Sequence, residues 1–109
     1  MMRGNPTSSP VVRSSIGRID PARTDEIIAA LEASEAMLRP AIGALPGLIA
    51  YFVGIDRETS TITNTSVWQT REQAMAMSTL SEMAALRTTF ERLGVIFQPV
   101  SNFDTLWVI

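Results

Sequence analysis

Asn64 and Trp68 lie four residues apart in the stretch Thr61-Ile62-Thr63-Asn64-Thr65-Ser66-Val67-Trp68-Gln69-Thr70-Arg71-Glu72-Gln73. In an extended strand alternate side chains share a face, so Asn64, Ser66 and Trp68 point the same way. A hydrogen-bonding amide then stands beside a stacking surface. No charged residue lies between Glu58 and Arg71, which implies that both faces of this strand are covered. An uncharged polar strand in that position lines a pocket or an interface as well as a core. The plainer reading of each residue stays open: a tryptophan ending a buried strand packs in a core, and a buried amide bonds to neighbouring backbone.

The residue types that are missing narrow the chemistry. The 109 residues include no cysteine, histidine or lysine, and all nine basic residues are arginine. That removes a thiol nucleophile, a Ser-His-Asp triad and a lysine Schiff base. It also removes a His/Cys zinc site and a histidine ligand for haem iron. Disulfides cannot form, which fits a cytoplasmic protein. The net charge is −2 and the arginines are scattered, so no basic stripe for nucleic acid is present. No segment approaches the roughly 20 apolar residues of a membrane span. Apolar residues make up 46% and charged residues only 18%, below the usual quarter. That surplus of apolar surface points to a subunit interface.

The length gives one domain. Residues 1–10 are polar and rich in Ser, Pro and Gly, a flexible lead-in, and the domain occupies 11–109. Val11 to Ile19 forms a first strand interrupted by Arg13 and Arg18, which point to opposite faces. Asp20-Pro21 starts a helix as N-cap and first helical residue. Its apolar face runs through Ile28, Leu31, Leu38, Ile42 and Leu45, with a kink at Pro40 and a stop at Pro46-Gly47. Leu48 to Ile55 is an apolar run that predicts a doubly buried strand, with Leu48, Ala50 and Phe52 opposite Ile49, Tyr51 and Val53. Asp56 to Thr59 turns the chain into the partner strand, Ser60 to Gln69. Thr70 with Gln73 forms a capping box that opens a second helix. Met75, Thr79, Met83, Leu86, Phe90 and Leu93 are its apolar stripe, and Gly94 ends it. Ser101 to Ile109 is a last strand.

The order strand, helix, strand, strand, helix, strand predicts an α+β, ferredoxin-like βαββαβ subunit with an antiparallel sheet. Two helices cover only one face of such a sheet. The other face carries few charges and should pack on a second copy related by a two-fold axis.

Pro46-Gly47 before an aromatic strand, a hairpin strand ending in Trp68, and Thr70-Arg71-Glu72-Gln73-Ala74 opening a helix resemble the antibiotic biosynthesis monooxygenase family. The resemblance spans roughly Val11 to Ile109. It implies a homodimer closing into an α/β barrel, and an oxidoreductase activity in some branches. In the quinone-forming branch an Asn and a Trp four residues apart on the third strand line the substrate pocket, matching Asn64 and Trp68. An arginine on the second helix also serves that pocket, and Arg87 is the nearest candidate. The pocket tyrosine of that branch has no match, since Ala74 stands near its place. The haem-degrading branch uses a histidine, so no haem is expected.

The resemblance thus implies a cofactor-independent monooxygenase acting on a small electron-rich aromatic. The substrate anion itself passes an electron to oxygen, while the protein holds the ring, excludes water and stabilises the anion. In that scheme Trp68 stacks on the ring, Asn64 donates to a phenolate oxygen and Arg87 favours the anion. Ser66, Met75, Met77, Met83 and Phe90 supply the pocket wall. Two other readings stand beside it. One is a non-catalytic homodimeric module that binds a small hydrophobic ligand. The other is an isomerase of a small carbonyl compound, which needs an acid or base such as Asp104 or Glu82 facing the cavity. Arg87 also precedes Glu91 by four residues, the spacing of a helix-surface pair.

Overall fold

The computed structural model of the chain describes residues 9–109, so the expected lead-in falls almost wholly outside the described residues. In chain order the elements are β1 (Val11–Arg18), α1 (Thr24–Gly43), β2 (Leu48–Asp56), β3 (Thr61–Trp68), α2 (Arg71–Met75), α3 (Ser81–Arg92), β4 (Ile96–Phe97) and β5 (Ser101–Asp104). The sheet runs β2-β3-β1-β4, with β5 also paired to β1, and every pairing is antiparallel. This is the expected ferredoxin-like α+β topology, with the last strand divided in two and the second helix interrupted.

Local chemistry sets each boundary. Asp20 accepts from the Ala22 amide at 2.9 Å and caps a single 3₁₀ turn, Pro21–Arg23, from which α1 continues. The helix does not stop at Pro40 but runs through it to Gly43. Gly47 takes φ +85°, a conformation that favours glycine, and brings the chain into β2. Its carbonyl accepts from Gln69 at 2.9 Å, tying the start of β2 to the end of β3. At the β2–β3 turn the Asp56 carboxylate accepts from the Glu58 and Thr59 amides. The Thr70 hydroxyl accepts from the Gln73 amide while the Gln73 side chain accepts from the Thr70 amide, completing the capping box. Gly94 (φ +86°) ends α3, and the Val95 amide reaches back to the Phe90 carbonyl.

Four expectations change. The second helix is not continuous. After α2 the chain tightens into a 3₁₀ turn, Ala76–Thr79, and Leu80 is extended. The Ser78 and Thr79 hydroxyls donate to the Met75 and Ala76 carbonyls, drawing acceptors away from regular helix bonding. The last strand stops at Asp104, not Ile109. Its ladder to β1 ends at Pro10, which has no amide to donate, and Thr105 bonds to the Pro10 carbonyl instead. A bulge between Leu48 and Ala50 breaks the alternation of β2. Leu48 therefore shares a face with Tyr51 and Val53 and does not side with Ala50 and Phe52. Lastly, β2 is an edge strand and is not buried on both faces within this chain. Ile49, Phe52 and Val53 are all exposed.

Register assigns the faces. Trp68, Ser66, Asn64 and Ile62 stand opposite Val11, Arg13, Ser15 and Gly17 of β1, and all eight lie on the helix-covered face. Two apolar clusters fill the space under the helices. One holds Val11, Leu38, Ile42, Trp68, Ala74 and Met77, and the other holds Ile19, Ile27, Ile62, Phe90 and Val95. Among the described residues no helix is long and apolar enough to cross a membrane.

Candidate functional site

The helix-covered face of the sheet carries a row of polar side chains through its middle. Tyr51 on β2 stands opposite Ser66 on β3, Ser66 opposite Arg13 on β1, and Arg13 opposite Asn102 on β5. The next row is Val53, Asn64 and Ser15. Strand pairing thus sets four polar groups side by side where apolar residues would ordinarily pack.

Four buried side-chain atoms among the described residues have no hydrogen-bond partner: Arg13 Nη1, Tyr51 Oη, Asn64 Oδ1 and Asn102 Oδ1. All four residues belong to these two rows. One orphaned polar atom is a small defect; four on one patch form a built polar surface. Arg13 is only 6% exposed. Burial lowers its pKa, the proximity of Tyr51 opposes that, and Arg87 lowers it further. Guanidinium starts so far above neutrality that Arg13 keeps its charge. Burial likewise pushes the Tyr51 phenol up to about 12, with Arg13 partly opposing the shift. Tyr51 is therefore a neutral hydroxyl at ordinary pH.

A cavity of about 230 Å³ opens over this patch, at the seam between the two apolar clusters. Arg13, Ser15 and Asn64 line it from the sheet. Met77, Met83, Leu86, Arg87 and Phe90 line it from the helical segments, with Phe97 beyond. Its walls hold no carboxylate. Arg87 lies with its guanidinium carbon 4.8 Å from the Phe97 ring centre, and its Nε is 3.5 Å from a Glu91 carboxylate oxygen. Both geometries leave its charge at the cavity rim. A larger, open groove of about 660 Å³ runs between α1 and β2, and Tyr51 and Leu38 line it.

Of the residues singled out from sequence, the structure brings Asn64, Arg87, Met77, Met83 and Phe90 to the smaller cavity. It does not bring Trp68, Ser66 or Met75 there. Trp68 has no exposed surface, and its indole Nε1 donates to the Ser66 hydroxyl at 2.8 Å. The two residues satisfy each other inside the core, so no aromatic face of Trp68 is free for a ligand. Met75 is 52% exposed because the 3₁₀ turn swings Met77 inward in its place. Asp104 and Glu82, the acids an isomerase would need, line neither cavity; Asp104 pairs with Arg71 at 2.9 Å. Arg13 is the residue that sequence reasoning missed. Its signal was present: β1 alternation puts it on the same face as Val11, opposite the hairpin strand's buried side. No group of three or more metal-ligating side chains occurs among the described residues.

No family model matches the sequence, and no curated protein matches it. Solved structures do match the fold. A protein from Deinococcus radiodurans, provisionally described as an antibiotic biosynthesis monooxygenase, aligns with TM-score 0.70 and 14% identity over 91% of this chain and 95% of its own. A Nitrosomonas europaea protein of unknown function aligns with TM-score 0.69 and 17% identity, covering 94% of this chain and 95% of its own. A Chloroflexus aurantiacus protein, with the same provisional description as the first, gives TM-score 0.61 and 19% identity over 93% and 97%. At these identities the likeness establishes the fold alone, the ferredoxin-like α+β architecture with an antiparallel sheet.

Proposed function

We propose that the chain is a cofactor-independent oxygenase of the quinone-forming type, acting on a small electron-rich phenol. The observation that carries this reading is the convergence of one amide and two guanidinium groups on a small, otherwise apolar and aromatic cavity. Such a cavity excludes water and favours an aromatic anion over its neutral form. The electrons come from the substrate. A phenol with an open para carbon takes up one dioxygen, keeps one oxygen atom as the new quinone carbonyl and releases the other as water. Asn64 hydrogen-bonds the substrate oxygen, and Arg87 stabilises the anion from the rim. Trp68 and Ser66 act behind them as a fixed backing to β3, not as a stacking platform.

The same reading includes a homodimer. The uncovered sheet face presents Phe52, Ile96 and Phe103, which register places on the side away from the helices. A second sheet packed there gives the closed barrel expected from the sequence.

Oxygen uptake with hydroxylated benzenes and naphthalenes tests the activity. Wild type should consume oxygen, and Asn64→Ala should slow it by about 100-fold, the scale of losing one preorganised hydrogen-bonding group. Absence of uptake across the panel counts against turnover. One observation favours the second reading, a binding module without catalysis: the cavity wall offers no carboxylate as proton acceptor. That reading predicts ligand binding with no oxygen consumed.

A further inference from the structure

We infer that Arg13 sets the class of ligand: the cavity takes a hydroxylated aromatic carboxylate, its carboxylate on Arg13 and its hydroxyl donating to Asn64. The inference rests on the reading of this cavity as the substrate site, and it names which substrates fit. A guanidinium more than nine-tenths buried requires compensation by an anion or by several acceptors. None of the ion pairs among the described residues involves Arg13, and its Nη1 has no acceptor among the described residues. Arg87 adds positive charge to the same cavity without neutralising it. The unmet groups are complementary to one kind of molecule. Arg13 needs an acceptor, and Asn64 Oδ1 needs a donor. A carboxylate presents two coplanar oxygens to the guanidinium fork and is ionised at neutral pH. A simple phenol is neutral there and presents a single oxygen. A ring hydroxyl meta to the carboxylate, too far to bond to it internally, supplies the donor. The cavity, about 230 Å³, lies below the usual 300–1,000 Å³ of ligand pockets, which limits the ring system to one or two fused rings.

Calorimetric titration with three probes tests this: 4-hydroxy-2-naphthoate, its carboxamide, and 2-naphthoate. The acid should bind wild type about 10- to 100-fold more tightly than the amide, the range expected of a charged hydrogen-bonded contact. Arg13→Gln should abolish that preference, and Arg13→Lys should keep most of it. The hydroxy acid should also exceed 2-naphthoate, and Asn64→Leu should erase that difference. Equal binding of acid and amide by wild type overturns the inference, as does a preference that survives Arg13→Gln or a failure of the acid to bind at millimolar concentration. The wild-type series decides the matter even where a variant fails to fold. Arg13-dependent binding without oxygen uptake sinks the oxygenase reading and leaves this one standing. Uptake of neutral naphthols that is indifferent to Arg13→Gln does the reverse.

Discussion

Arg13, Asn64 and Tyr51 show what a strand face does when polar residues are aligned on it. Each would cost stability in an ordinary core; Arg13 and Asn64 line the small cavity, where a polar ligand can satisfy them, and Tyr51 lines the neighbouring groove. Tyr51 is the chain's single tyrosine, so its titration is directly readable. Its phenol has an ordinary value near 10 when unfolded and about 12 when folded. A pKa raised by folding contributes stability below about pH 10, and that contribution is lost as pH rises through 12. Urea unfolding at about pH 9 and about pH 11.5 should show a fall of up to about 2 kcal/mol that Tyr51→Phe does not share. Trp68 makes a different prediction. Trp68→Phe removes the donor to the buried Ser66 hydroxyl, so it should cost about 1 to 3 kcal/mol in urea unfolding. Asn64 was legible through its spacing from Trp68, whereas Arg87 came forward only through the family resemblance, its own spacing from Glu91 being that of a surface pair. Arg13 was not legible, because a lone arginine in a strand looks like an exposed interruption until its partners across the sheet are known. Trp68 was legible as a residue on the right face, but one-dimensional spacing does not reveal that Ser66, two positions away, takes its only donor.

Turn and cap chemistry made most of the elements legible. Asp20-Pro21, Pro46-Gly47, the Thr70–Gln73 box and Gly94 each mark a boundary that holds. The β2 bulge and the break after Met75 were not legible, since both depend on hydrogen bonds that propensity does not encode. The break has a consequence for the cavity: Met77 of the 3₁₀ turn, and not Met75, stands in its wall beside Met83 and Phe90. Gly47 connects two of these elements. A Cβ there would lie 1.7 Å from the Gln73 side-chain oxygen, and φ is +85°. Gly47→Ala should therefore break the capping box and destabilise the fold by about 1 to 3 kcal/mol, measured as a lowered midpoint in urea.

Among the described residues the sheet has one covered face and one open one, and the open face bears exposed Phe52, Ile96 and Phe103. Beyond β5, Leu106 to Ile109 are exposed as well. Patches of this kind on a 109-residue chain are what the proposed second copy would cover. Sedimentation at micromolar concentration should give a dimer for wild type, and Phe52→Glu should give a monomer by burying a charge in the contact; a monomeric wild type contradicts the dimer. The apolar surplus of the composition signalled this face before any coordinates did, whereas which residues occupy it required the register. Activity is the remaining question, and oxygen consumption answers it. Wild type supplied with a hydroxylated naphthalene, 4-hydroxy-2-naphthoate among the panel, should consume one dioxygen per quinone formed, with Asn64→Ala slower by about 100-fold. Ligand binding without oxygen uptake, or uptake unchanged in Asn64→Ala, would contradict the oxygenase.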